Sequence, residues 1–259
     1  MQFIAGSRPI RQRALLGLSL LVGCLFRAPA HAWLMVSGDI NIVNSVITPD
    51  GPPTTGNYRF FDLLAYGGDS VLIAGGDGML STANIRHDLA LWYSYPWMDS
   101  RVDEGLLTPE DLEGVDLLIQ ILPDRPYTPG EIRAMNHFFL DGGNVFLMGD
   151  NGTQSHRNAH LNQLLEAMGS SMRILDSDID RGFHVATGDQ LATDPPAYYP
   201  FFDYVGELSY AAPSEVAAGE GTPLVYASGM QPIIVIVPEP TSLSILGIGG
   251  LLVIRRRST

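Results

Sequence analysis

Val115-Asp116-Leu117-Leu118-Ile119-Gln120-Ile121-Leu122, then Thr128-Pro129-Gly130-Glu131, then Asn144-Val145-Phe146-Leu147-Met148 decide the architecture of this chain. The outer two stretches are apolar at consecutive positions, which suits strands buried on both faces and not the alternation of a half-wet strand. Between them, Thr128 followed by Pro129 and by Glu131 three residues on is the start signal of a helix. Ile132, Met135, Phe138 and Phe139 recur at helical spacing after it, and Gly142-Gly143 ends the run. A second helix, roughly Asn158 to Met168, places Leu161, Leu164, Leu165 and Met168 on one face. Strand, helix, strand, helix with uniformly apolar strands predicts an α/β fold with a mostly parallel sheet covered on both faces.

Outward from this unit the signals weaken. Val71-Leu72-Ile73-Ala74 is another buried-strand pattern, stopping at Gly75-Gly76. Asn57 is positioned to cap a helix through Phe60, Phe61, Leu63 and Leu64 that ends at Gly67-Gly68. Ile40 to Val43 is a short β-rich run, Asn84 to Trp92 an ambiguous amphipathic piece, and Thr108-Pro109-Glu110-Asp111 a capped turn. Ile233-Ile234-Val235-Ile236-Val237 is either the last sheet strand or the start of the tail. The strand is the better reading, since Glu239 would be costly in the middle of a lipid span.

The segments Asp116 to Pro123, Thr128 to Glu131, Phe138-Phe-Leu-Asp-Gly-Gly143 and Asn144 to Asp150 together resemble a class I glutamine-amidotransferase-like domain. That domain type occurs in gliding-motility and intraflagellar-transport proteins and in bacterial envelope proteins. The resemblance implies a flavodoxin-like, doubly wound sheet, generally without the catalytic cysteine of true amidotransferases. This chain departs from the pattern at its end, where Gly229-Met-Gln-Pro232 runs through the apolar stretch straight into Pro238.

Both termini carry targeting signals. Arg8, Arg11 and Arg13 precede the apolar run Ala14 to Val22, and Ala30-His31-Ala32 is a small-x-small site for signal peptidase, so Trp33 begins the mature chain. Leu21-Val22-Gly23-Cys24 also fits a lipobox, in which Cys24 would be lipidated. With Ala30 and Ala32 in place, Cys24 reads as an ordinary leader residue. At the other end Val237-Pro238-Glu239-Pro240 leads into the apolar run Thr241 to Ile254, closed by Arg255-Arg256-Arg257. Arginines stay on the cytoplasmic side, so this order reads as a stop-transfer element with everything before it outside. As a helix the run spans ~21 Å, short of the ~30 Å hydrocarbon core, which suits an anchor that is later cut away. Motif, apolar run and arginine cluster resemble the PEP-CTERM sorting tail, which implies recognition by the membrane peptidase exosortase. The expected division is therefore a signal peptide over 1–32, an α/β domain over 33–237 and a sorting tail with its transmembrane helix over 238–259.

Charge narrows the partners. All 28 acidic residues lie between Asp39 and Glu239, against 8 arginines in Trp33 to Pro240 and no lysine, a net charge of −20 for the mature part. Such a field disfavours nucleic acid and anionic lipid. With Cys24 gone, the mature chain has no thiol for disulfides, nucleophilic catalysis or metal binding.

Ligands of doubly wound sheets bind outside the carboxyl ends of the strands. The candidates there are Gly75-Gly76-Asp77, Asp124, and Asp150-Asn151-Gly152-Thr153 with Ser155, His156 and His160. Asp150 with His156 offers an acid–base pair for hydrolysis, although no G-x-S-x-G elbow accompanies it. His156 and His160, four apart beside Asp150, could hold zinc or a similar ion, but a polar loop with a capping histidine is the better reading. Asp176, Asp178 and Asp180 alternate like the opening of a calcium loop. Gly182 comes one place late, however, and Thr187 stands where a glutamate belongs, so a solvated acidic turn fits as well. Tyr198 to Phe202 and Trp92 to Trp97 suit either sugar stacking or satellite core.

Three functions follow. The first is a non-catalytic, exosortase-processed protein of the cell envelope or extracellular matrix that binds saccharide or protein. PEP-CTERM systems accompany exopolysaccharide and biofilm formation, so the resemblance favours it. The second is a polysaccharide hydrolase or lyase using Asp150 and His156. The third is a calcium-dependent structural module.

Overall fold

The computed structural model describes residues 32–44, 55–65, 70–75, 89, 99–103, 106–192 and 205–238. Residues 1–31 of the signal segment, the tail from residue 239 on, Asp77 and both aromatic clusters lie outside these residues. Among the described residues, no helix is long and apolar enough to cross a membrane.

Seven strands form one mixed sheet, in the order β10-β11-β1-β5-β4-β2-β3. They are β1 (Trp33–Ser37), β2 (Ser70–Gly75), β3 (Asp99–Asp103), β4 (Leu117–Ile121), β5 (Asn144–Met148), β10 (Thr222–Tyr226) and β11 (Pro232–Pro238). The five from β1 to β3 in that order pair in parallel, while β11 runs antiparallel to both β1 and β10. The fold is thus mixed α/β with a largely parallel sheet. Ile233 to Val237 belongs to a sheet strand.

The uninterrupted apolar runs are explained by burial on both faces. Met35, Val71, Ile73, Ile119 and Phe146 face one core with Phe60, Phe61 and Leu64 of α2 (Thr55–Leu64). Leu34, Leu72, Leu118, Val145 and Leu147 face the other, with Met135 and Phe139 of α3 (Pro129–Leu140) and with Leu161, Leu164 and Leu165 of α4 (Ser155–Ala167). The ring edges of Phe60 meet Phe61 at a centroid distance of 5.4 Å and Phe146 at 6.1 Å, a geometry that adds about 0.5–1.5 kcal/mol per pair beyond area burial.

α3 starts as its sequence dictates. The Glu131 N–H donates to Thr128 Oγ1 at 3.3 Å, and the Thr128 N–H donates to Glu131 Oε2 at 2.8 Å, closing a capping box. Arg125 grips the same carboxylate with both terminal nitrogens, at 2.9 and 2.8 Å. Burial alone would raise the Glu131 pKa, but these donors hold it at about 2.

Two sequence expectations need correction. Ile40 to Val43 is not a strand: the strand is Trp33–Ser37, and Asn41–Asn44 forms the short helix α1. Asn57 does not cap α2 but lies inside it, fully buried. Its amide donates to Ile42 O at 2.9 Å and Ser209 O at 2.8 Å, and its oxygen accepts from the Ser209 N–H at 2.7 Å. That ties α2 to β8 (Glu207–Ala211), which pairs with β7 (Phe183–Thr187) in a separate ribbon. Another small ribbon joins β6 (Arg173–Ile174) to β9 (Val216–Ala217).

Candidate functional site

β1 and β5 lie side by side in parallel, yet the chain leaves them in opposite directions. After β1 it enters α1 and α2 on one face, and after β5 it enters α4 on the other. Neighbouring strands that part in this way open a crevice at their carboxyl ends. Asp39 follows β1 there and Asp150 follows β5.

Both carboxyls are buried and perturbed. Burial raises Asp39 to about 7, and the Asp150 charge adds to the rise. Bonds from the Ala211 and Asn41 N–H groups, both at 2.7 Å, pull the other way. Asp150 is raised to about 6, again chiefly by burial, with Asp178 contributing and the Asn151 N–H opposing. The backbone of Asp150 is clamped by Asn158, whose Oδ1 accepts from the Asp150 N–H at 3.1 Å and whose Nδ2 donates to the Asp150 carbonyl at 2.6 Å.

Beside this pair, Leu122 directly follows β4 at φ +24°, a region that a side chain on Cβ disfavours. Its carbonyl accepts from Arg157 Nη1 at 3.4 Å, and Arg157 also pairs with Asp124. Asp150 Oδ1, Gln154 Oε1 and Arg157 Nε are buried without a hydrogen-bond partner among the described residues. Buried polar atoms are normally partnered, so this edge differs from the rest of the core.

A lid of the protein's own chain covers the crevice. The Ser214 N–H donates to the Gly38 carbonyl at 2.9 Å, and the Gly152 N–H donates to Ser177 O at 2.8 Å. Ser214 Oγ donates to the same Ser177 carbonyl at 2.9 Å, and the Ile179 N–H donates to Pro213 O at 2.9 Å. The fit is tight: a Cβ on Gly38 would stand 2.0 Å from Ser214 O. Asp180 and Ala212 in these lid segments adopt φ of +46° and +47°, backbone strain of the kind that surrounding contacts must hold in place.

The residues singled out from sequence are only partly brought together. His156 is exposed on the first turn of α4, and no hydrogen bond joins it to Asp150 among the described residues. His160 is half-buried, and its pKa is lowered by burial, by His156 and by Arg157. Among the described residues no group of three or more His, Cys, Asp or Glu side chains could hold a metal ion. The structure does not gather His156, His160, Asp176, Asp178 and Asp180 into one such group. Asp178 pairs with Arg181 at 3.0 Å. Asp180 accepts from the Tyr210 hydroxyl at 2.7 Å and the Ser228 N–H at 2.6 Å. Asp178 and Asp180 thus turn to separate partners, and Asp180 ties its loop to Tyr210 and Ser228. Asp39 and Arg157 went unread in the sequence, because each gains its meaning from a partner far along the chain. An acidic residue directly after an apolar strand was the available signal for Asp39.

No family model matches the chain, and no curated protein matches it. Among solved structures the chain is similar to one described as the mmIFT52 N-terminal domain. The two are 13% identical with a TM-score of 0.43, over 62% of this chain and 81% of that one. Nothing about the site or its chemistry follows from a likeness at that level.

Proposed function

We propose that this is an exported protein of the cell envelope or extracellular matrix, trimmed by exosortase, whose domain binds saccharide or protein without catalysing a reaction. The observation that carries this reading is the order of Val237-Pro238-Glu239-Pro240, the apolar run and Arg255-Arg256-Arg257, matched at the other end by Ala30-His31-Ala32. In this reading the domain is a flavodoxin-like, doubly wound sheet, supported by helices packed on both faces and by the parting of β1 and β5. It is held at the inner membrane facing the periplasm, then cut and passed outward, in association with exopolysaccharide.

The absence of catalysis is supported by the lid. Backbone bonds tie the segments around Ser177 and Ser214 to Gly152 and Gly38 beyond the ends of β5 and β1, and His156 is exposed to one side. The test is to replace Pro238-Glu239-Pro240 by three alanines and fractionate the cells. The altered chain should accumulate at its full anchored length in the membrane. A distribution identical to that of the unaltered chain overturns the reading. Asp150→Asn with His156→Ala should leave any polysaccharide phenotype unchanged, and its loss would favour the hydrolase.

A further inference from the structure

Trp33 opens β1, while Val237 and Pro238 close β11. The antiparallel register sets Trp33 opposite Pro238 and Leu34 opposite Val237. The two ends of the domain therefore lie side by side, at the edge where the parallel strands begin. That edge is well ordered chemically. Asn144 Oδ1 accepts from the Trp33 N–H at 3.2 Å, the Asn144 N–H donates to Asp116 O at 3.0 Å, and the Ser70 N–H donates to Asp116 Oδ2 at 3.1 Å. β11 is an interior strand, held by β10 on one side and β1 on the other, so the exit point cannot swing away without breaking two ladders.

From Pro238 only three residue steps lead to Thr241, where the apolar run begins. A fully extended chain covers at most about 11 Å in three steps. A five-residue strand is itself about 17 Å long, so the tether is shorter than the sheet is tall. A domain on so short a stalk cannot turn over. We infer that, before the tail is cut, the domain stands on the lipid surface on the amino edge of its parallel strands. The lidded carboxyl edge, with Asp39, Asp150 and the Ser177–Ser214 contact, then faces away from the membrane. This rests on the reading of the tail as a membrane segment.

The test uses the full chain carrying Cys24→Ser, produced in cells without exosortase and recovered in inner-membrane vesicles. Single cysteines are placed by Asp141→Cys, in the exposed turn before β5 at the amino edge, and by Thr153→Cys, exposed beyond β5 at the carboxyl edge. Each is labelled with a fluorophore and quenched by nitroxide carried on lipid headgroups. Quenching several-fold stronger at 141 than at 153 is expected. Equal quenching, or stronger quenching at 153, in protein that resists carbonate extraction overturns the orientation and leaves the tail reading standing. Protein that carbonate washes from the membrane overturns both. Glu113→Cys and Arg181→Cys repeat the comparison should the first pair lower the melting temperature.

Discussion

The two edges of the sheet are built on opposite terms. At the amino edge, Trp33, Asn144, Asp116 and Ser70 satisfy one another in a row, and the register runs unbroken from Trp33–Pro238 to Ser37–Ile234. At the carboxyl edge stand two carboxyls raised to about 7 and about 6, the buried atoms Asp150 Oδ1, Gln154 Oε1 and Arg157 Nε without a partner among the described residues, and positive φ at Leu122, Asp180 and Ala212. Strain and unmet polarity persist only where the surrounding structure holds them. One edge thus keeps the sheet and its two ends in register, while the other holds strain and unmet polarity in place.

The largest effect should come from the side of the comparison that carries the fold. Ending the chain after Gln231 removes β11 from between β10 and β1 and should abolish cooperative melting. Ending it after Pro238 should preserve the transition, and two truncations that melt alike would break the distinction between strand and tail. Next, Gly38→Ala drives a methyl toward Ser214 O and should cost about 2–4 kcal/mol, read as a lowered urea midpoint. An unchanged midpoint would mean that the lid is not seated.

Asp150 and Glu131, both beyond the carboxyl ends of parallel strands, respond to pH in opposite senses. Asp150 has a folded pKa above its usual 3.8, so the folded state binds the extra proton. Its contribution is most favourable below about pH 4 and is lost as pH rises through 6. Asp150→Asn should therefore flatten the decline in stability between pH 4 and 6, and above pH 7 should stabilise by on the order of 2 kcal/mol. A wild-type curve that rises over that interval contradicts it. Glu131, held at about 2, has the opposite sign: its stability is present above pH 4.5 and lost as pH falls toward 2. Glu131→Gln should cost about 1–2 kcal/mol at neutral pH through the lost cap and ion pair, and should remove that acid limb. Equal acid sensitivity of the two proteins would sink this assignment.

What could be read in the sequence follows the range of the interactions involved. The capping box at Thr128 and Glu131, the runs that became β4 and β5, and the apolar face of α4 are local signals, and they lie where the pattern puts them. β1 escaped notice because its apolar residues adjoin the leader. Asn57 has the chemistry of a cap, but its partners Ile42 and Ser209 lie 15 and 152 positions away. Alternating aspartates look like a calcium loop in one dimension, yet spacing does not say which way each side chain turns, and Asp178 and Asp180 turn to different partners. The switch point required knowing that β1 lies beside β5, which no local pattern carries.

The central claim, that a folded unit running from Trp33 to the Val237–Pro240 motif is carried outward and freed at both ends, is tested most directly by the intact mass of the mature protein in fractionated cells. The account expects a species outside the cytoplasm that lacks residues 1–32 and the apolar tail with its arginines. A full-length, unprocessed chain dissolved in the cytosol would contradict it.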